Sequence, residues 1–219
     1  EAILTFYDQH PDQFDFLIIF TNFTLQQEAG AELARQVLIS NAVSGIGKPE
    51  QNSTDIFGSR GKLKSVLMFN DIGGYELEDE ADWQRLDDLL LHEVAHQFSG
   101  SVKFRQGDAE SLALLRDDGL HWSYYAAFLS PLGGSGWRDR GDGTFSNQLT
   151  DQTIVRRPFS DLDLYLLGLL PAQVIAPVAY VEPAVPGLQG NVIAGKLRTV
   201  TVEQIIAANG KRRCGLRQR

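Results

Sequence analysis

Cysteine is nearly absent from this chain. Cys214 stands alone among 219 residues, so no disulfide can close within it and a cysteine-based metal site is excluded. Long apolar runs are missing too; none approaches the length of about 20 residues needed to cross a bilayer. Positive charge is scarce, with 20 Lys and Arg against 28 Asp and Glu for a net charge of −8. No basic patch precedes the last few residues, and Lys211-Arg212-Arg213 with Arg217 and Arg219 reads as a solvated terminus. Nucleic acid, which demands cations against its phosphates, is therefore not an expected partner. The chain opens on Glu1 and not Met, as a mature or excised fragment would, so export cannot be read from it directly.

What is present suits a folded domain. Hydrophobic residues make up 43%, enough for a sizeable core in one compact domain over residues 1–219. The runs at 16–20 (FLIIF) and 65–69 (SVLMF), β-branched and aromatic, predict buried strands. Residues 26–38 have weak helical character, and 41–61, rich in Gly, Ser, Asn and Pro, predict a loop. A helix is expected over 82–99, with acidic residues in its first turn and Gly100 as its stop. Beyond it, 107–115 suggests another helical turn or two. Asp142-Gly143 suggests a hairpin, since its spacing fits no complete calcium loop. A second apolar helix is expected over 159–170, short strands and turns over 174–202, and a short helix over 201–208. The class is α+β, with residues 1–100 holding a sheet and the first long helix, and 101–219 a mainly loop and helix subdomain.

That helix carries the chemistry, in His92-Glu93-Val94-Ala95-His96. Histidines four apart lie one turn above each other, with Cβ atoms roughly 6 Å apart. Both imidazoles can then reach one Zn²⁺ at about 2.0–2.1 Å. Glu93 sits further round the helix, off that face, where it suits a general base acting on a metal-bound water. Trp83, Leu86, Leu90, Leu91, Val94, Ala95 and Phe98 predict a helix buried on most sides, and such a helix has little reason to hold three polar groups that nothing satisfies.

A catalytic zinc takes three protein ligands and keeps one open position. The remaining histidines are His10, in a polar segment expected to be exposed, and His121, 25 residues after His96 among aromatic neighbours. His121 is the leading candidate for third ligand. Asp163, set among leucines, is the alternative, either as ligand or as the acceptor that orients a ligating histidine. Glu110, Asp117 and Asp118 sit in a polar stretch and rank below both. Tyr124, Tyr125 and Tyr165 could polarise a carbonyl, with core packing the competing role for each.

The HExxH helix and its preceding strand resemble the zincin metallopeptidases, over about a fifth of the chain. The resemblance implies a twisted mixed sheet, an edge strand at 65–69 that aligns substrate, and an active-site helix. Ser99 and Val102 stand where the longer metzincin motif has Gly and His, and Ser160 to Gly168 echo the aspartate-ligated pattern only loosely. The segments around His121-Trp122-Ser123, 137–145 and 159–170 resemble a group of uncharacterised secreted bacterial metallopeptidases. The resemblance thus implies a zinc endopeptidase with Zn²⁺ as cofactor, a protein or peptide substrate and an extracytoplasmic site of action. Two other readings share the motif: a zinc-binding domain that recognises a protein or glycan, and a zinc hydrolase acting on non-peptide amides.

Overall fold

In a computed structural model, which describes residues 1–24, 34–76, 78–149 and 157–214, the chain is α+β. Four α-helices and several small sheets occur among the described residues. Two compact units divide it: Glu1–Val43, Pro49–Gln97 and Cys214–Arg219 form the first, and Ser44–Lys48 with Phe98–Arg213 the second.

The first unit is built on a mixed three-stranded sheet. Its middle strand, Ser65–Asp71, pairs in parallel with Phe16–Thr21 and antiparallel with Ala34–Leu38. Both expected strands are there, but 65–69 is the centre of the sheet and not its edge. Its unbroken apolar run reflects cover on both faces. Val66 and Met68 join Ile39 and Leu63 in a core closed by Ile3 and Tyr7 of helix α1 (Ala2–Gln9), by Leu17 and by Ile19. Ser65 points the other way, towards helix α2 (Glu80–Ala95), which packs against the middle strand and Ala34–Leu38.

Three expectations need correcting here. Residues 34–38 form a strand, not the end of a helix, because pairing with the middle strand from Ala34↔Phe69 to Leu38↔Ser65 outweighs a weak local helical preference; residues 26–33 of that expected helix lie outside the described residues. Part of 41–61 is ordered: Ser40–Asn41 pairs with Gln51–Asn52, and a 3-10 turn follows over Thr54–Phe57. Helix α2 is also less covered than its leucines suggested. Trp83 is 53% exposed, and burial is complete only near the far end, at Glu93 and Ala95. Asp79 caps the start by accepting from the N–H groups of Ala81 and Asp82.

The second unit holds a four-stranded antiparallel sheet in the order Val178–Pro183, Val192–Val200, Thr144–Ser146, Arg138–Asp139. The hairpin expected around Asp142-Gly143 joins the last two of these strands. Trp137, Phe145, Val181 and Ile193 form its buried core. Helix α3 (Asp161–Leu167) starts in a capping box at Ser160 and stops at Gly168, whose φ of 85° is the left-handed cap. Helix α4 (Val202–Asn209) starts in a second capping box at Thr201, close to the expected bounds. Residues 107–115 are not helical. Phe104–Gln106 and Ala109–Ser111 pair as a hairpin, and Gly107, with φ 63°, makes the tight turn a helix would forbid.

The excursion Ser44–Lys48 belongs to this unit because Gly47 sits directly on the Ser101 carbonyl, where any Cβ would clash. At its end, burial pulls the Lys48 ammonium down to about 8 from an ordinary 10.5. The native state therefore releases this proton at lower pH than the unfolded chain does. Between about pH 8 and 10.5 the unfolded chain binds more protons, so this group makes stability rise with pH across that window. Urea midpoints across it should climb more steeply in the wild type than in K48M; identical slopes would contradict the assignment.

Candidate metal centre

His92 and Glu93 lie on the last turn of α2 and His96 is its C-cap, still helical at φ −58° and ψ −21°. The His96 N–H donates to the His92 carbonyl at 3.2 Å, so the one-turn offset in the pentapeptide is realised. The rings meet edge to face with centroids 4.8 Å apart, and their Nε2 atoms are 3.1 Å apart. Two protonated imidazoles cannot face each other at that distance. Either one proton is shared or a cation sits against both lone pairs. Two nitrogens at about 2.0–2.1 Å from a tetrahedral ion lie roughly 3.3 Å apart, so the observed spacing fits a metal with almost no adjustment. Glu93 is 4% exposed and His96 8%, which keeps water from competing with charges held there.

Burial of this turn is secured by Gln97, which the sequence reading passed over. Its Oε1 accepts from the Ser65 hydroxyl at 2.5 Å and from Gln36 Nε2 at 3.2 Å, while its Nε2 donates to the Ser40 carbonyl at 2.9 Å. The residue after His96 is thus bonded to two strands of the sheet and to the short strand that begins at Ser40. No local signal marks Gln97 for this role, because its partners at 36, 40 and 65 are distant in the chain.

His121 is carried by the second unit on a backbone held from both sides. Its carbonyl accepts from Arg116 N–H, Trp122 N–H donates to the Leu132 carbonyl, and Ser123 N–H to that of Leu114. The imidazole is oriented by Asp118, whose Oδ2 lies 2.8 Å from His121 Nδ1 while its Oδ1 accepts from the backbone N–H groups of Leu120 and His121. Partial burial pushes the Asp118 carboxyl up, but the bonds from Leu120 and His121 outweigh it and hold the group below its usual value. A carboxylate on Nδ1 keeps the proton there and directs the other lone pair, on Nε2, outward as a ligand would need. Asp118, ranked low as a ligand, is thus an orienting partner. Gly100, at φ 75°, brings its backbone against the Leu120 carbonyl where a Cβ would collide. It serves close approach beside His121, four residues past the α2 cap, more than it stops the helix.

The other candidates have different work. Asp163 is fully buried and accepts four hydrogen bonds, from Ser99 Oγ, Trp122 Nε1, Ser160 N and Ser160 Oγ. Tyr124 and Tyr125 donate their hydroxyls to the carbonyls of Gly190 and Leu188, holding down the loop between two strands, and the Tyr165 hydroxyl accepts from Arg212 N–H. Glu110 pairs with Lys103 at 2.6 Å. His10 is exposed and stacks on Phe6. Among the described residues, His92, His96 and His121 are the set of side chains that could hold a metal ion, and Asp163 is not part of it. A cleft of about 1270 Å³ in the second unit is lined by Arg116, Asp117, Asp118, Tyr124, Tyr125 and Tyr180, so Asp118 faces it while bonding His121.

Set beside protein-family models, curated proteins and solved structures, the chain matches none of them. What the site does must come from its own geometry. If Asp118 orients a ligand, D118A should lower zinc affinity about 10–100-fold in a chelator competition while far-ultraviolet circular dichroism stays unchanged. Unaltered affinity would remove Asp118 from the centre.

Proposed function

We propose that this chain is a zinc-dependent endopeptidase of the zincin type, in which His92, His96 and His121 hold the metal and Glu93 is the general base. The observation that carries the reading is the 3.1 Å convergence of two imidazole nitrogens on the helical turn that also buries Glu93. Three neutral imidazoles suit zinc among several divalent metals, and the open fourth position of such a set is what hydrolysis needs. Zinc bound there supplies Lewis acidity, polarising the scissile carbonyl and bringing the pKa of water towards 7.

The chain's own residues do the remainder. The Glu93 carboxylate takes a proton from the attacking water as the new C–O bond forms. It then delivers that proton to the departing amine nitrogen as the C–N bond breaks. Burial at 4% exposure favours this shuttle, because little water can reach the carboxyl group to exchange the transferred proton before the amine takes it. His121, kept in one tautomer by Asp118, presents the ring nitrogen that ligation requires. No helix among the described residues is long and apolar enough to span a membrane. Action outside the cytoplasm on protein or peptide substrates rests on the family resemblance alone.

Substituting Glu93 separates catalysis from binding. E93Q should keep one zinc per chain and lose hydrolysis of an unfolded protein substrate by at least ~10²–10⁴-fold. A zinc-loaded wild type that cleaves nothing, matched by E93Q, would instead favour a zinc-dependent recognition domain. Cleavage of small amides but not peptides would favour the non-peptide hydrolase.

A further inference from the structure

We propose that Asp163 is a positioning residue of the metal centre, one that fixes the segment after His96 against the segment carrying His121 through a single oxygen. The proposal rests on the metal reading above. Within the second unit the two Asp163 oxygens have separate duties. Oδ2 accepts from Ser160 N at 2.9 Å and Ser160 Oγ at 2.6 Å, and Ser160 Oγ accepts from Asp163 N; this closes the capping box of α3. Oδ1 contributes nothing to that cap. It accepts from Ser99 Oγ at 2.5 Å and from Trp122 Nε1 at 2.8 Å.

Those two donors lie far apart in the chain and each is next to a candidate ligand. Ser99 follows His96 by three residues, and Trp122 directly follows His121. Trp122 is also clamped through its backbone, in bridges to Leu115 and Gly133. Setting a carboxylate in an interior with 0% exposure is costly, and a capping box alone does not require it, since the same box at Thr201 uses Gln204. The additional return is register: a buried, fully bonded anion admits one arrangement of its donors, and a slip of either segment would strand it. Asp163 therefore acts on the centre through Ser99 and Trp122 and not as a ligand.

Matched hydroxyl deletions on the two oxygens test this. S99A removes a donor from Oδ1, and S160A removes one from Oδ2. The readouts are zinc affinity by chelator competition, the visible spectrum of the Co²⁺-substituted protein and thermal stability. S99A should weaken zinc binding about 10–100-fold and alter the Co²⁺ bands, as W122F should through the second donor. S160A should lower stability while leaving affinity and spectrum at wild-type values. The proposal is overturned if S99A and W122F bind metal as the wild type does, or if S160A weakens binding as much as they do. Should the wild type bind no metal that H96A abolishes, the metal reading itself fails and this inference with it.

Discussion

Two imidazole nitrogens held 3.1 Å apart, at the one end of α2 that is well buried, are the constraint on which the first unit's architecture turns. A close pair of polar rings on a largely buried turn keeps its geometry only if that turn is held in place. The sheet supplies the fixing. Its middle strand is apolar on both faces from Val66 to Phe69, and the Ser65 hydroxyl that opens it meets Gln97 immediately after the second histidine. Gln36 and the Ser40 carbonyl complete the arrangement, so strand pairing, helix placement and imidazole spacing are one structure and not three.

The second unit solves a related problem by other means. It presents a single histidine, and precision comes from backbone clamps on 121–123, from Asp118 on Nδ1 and from Gly100 pressed against Leu120. Behind these lies Asp163, spending an anion in the interior where a neutral cap would have served α3. Polar groups concentrated where packing alone would be cheaper are what a geometric requirement at a binding site produces. The tyrosines nearby follow the opposite logic, their hydroxyls used to tie down a loop.

The pentapeptide was legible because its spacing and residue types have a local geometric meaning that any helix would express. So were the strands at 16–20 and 65–69, the short helix at 201–208 and the hairpin at Asp142-Gly143, all signals contained within a few residues. What escaped was set by distant partners. Residues 34–38 became a strand because an open edge was available, and 104–111 became a hairpin because a glycine turn joined two short strands, the first of which packs on α4. Position within a sheet cannot be read from a single strand, so an apolar run at 65–69 was compatible with edge or centre until its neighbours were known. Asp118, Gln97 and Ser99 look like ordinary surface polar residues in the sequence; only three-dimensional contacts give each its role.

His92, His96 and His121 could hold one metal ion, and zinc is the ion proposed. X-ray absorption at the zinc edge of the purified protein tests this most directly. It should report about three nitrogen scatterers near 2.0–2.1 Å with the multiple-scattering pattern of imidazole, one light oxygen ligand and no sulfur, falling to two imidazoles in H121A. A wild-type zinc with no histidine signature, or an H121A spectrum identical to it, would contradict the account.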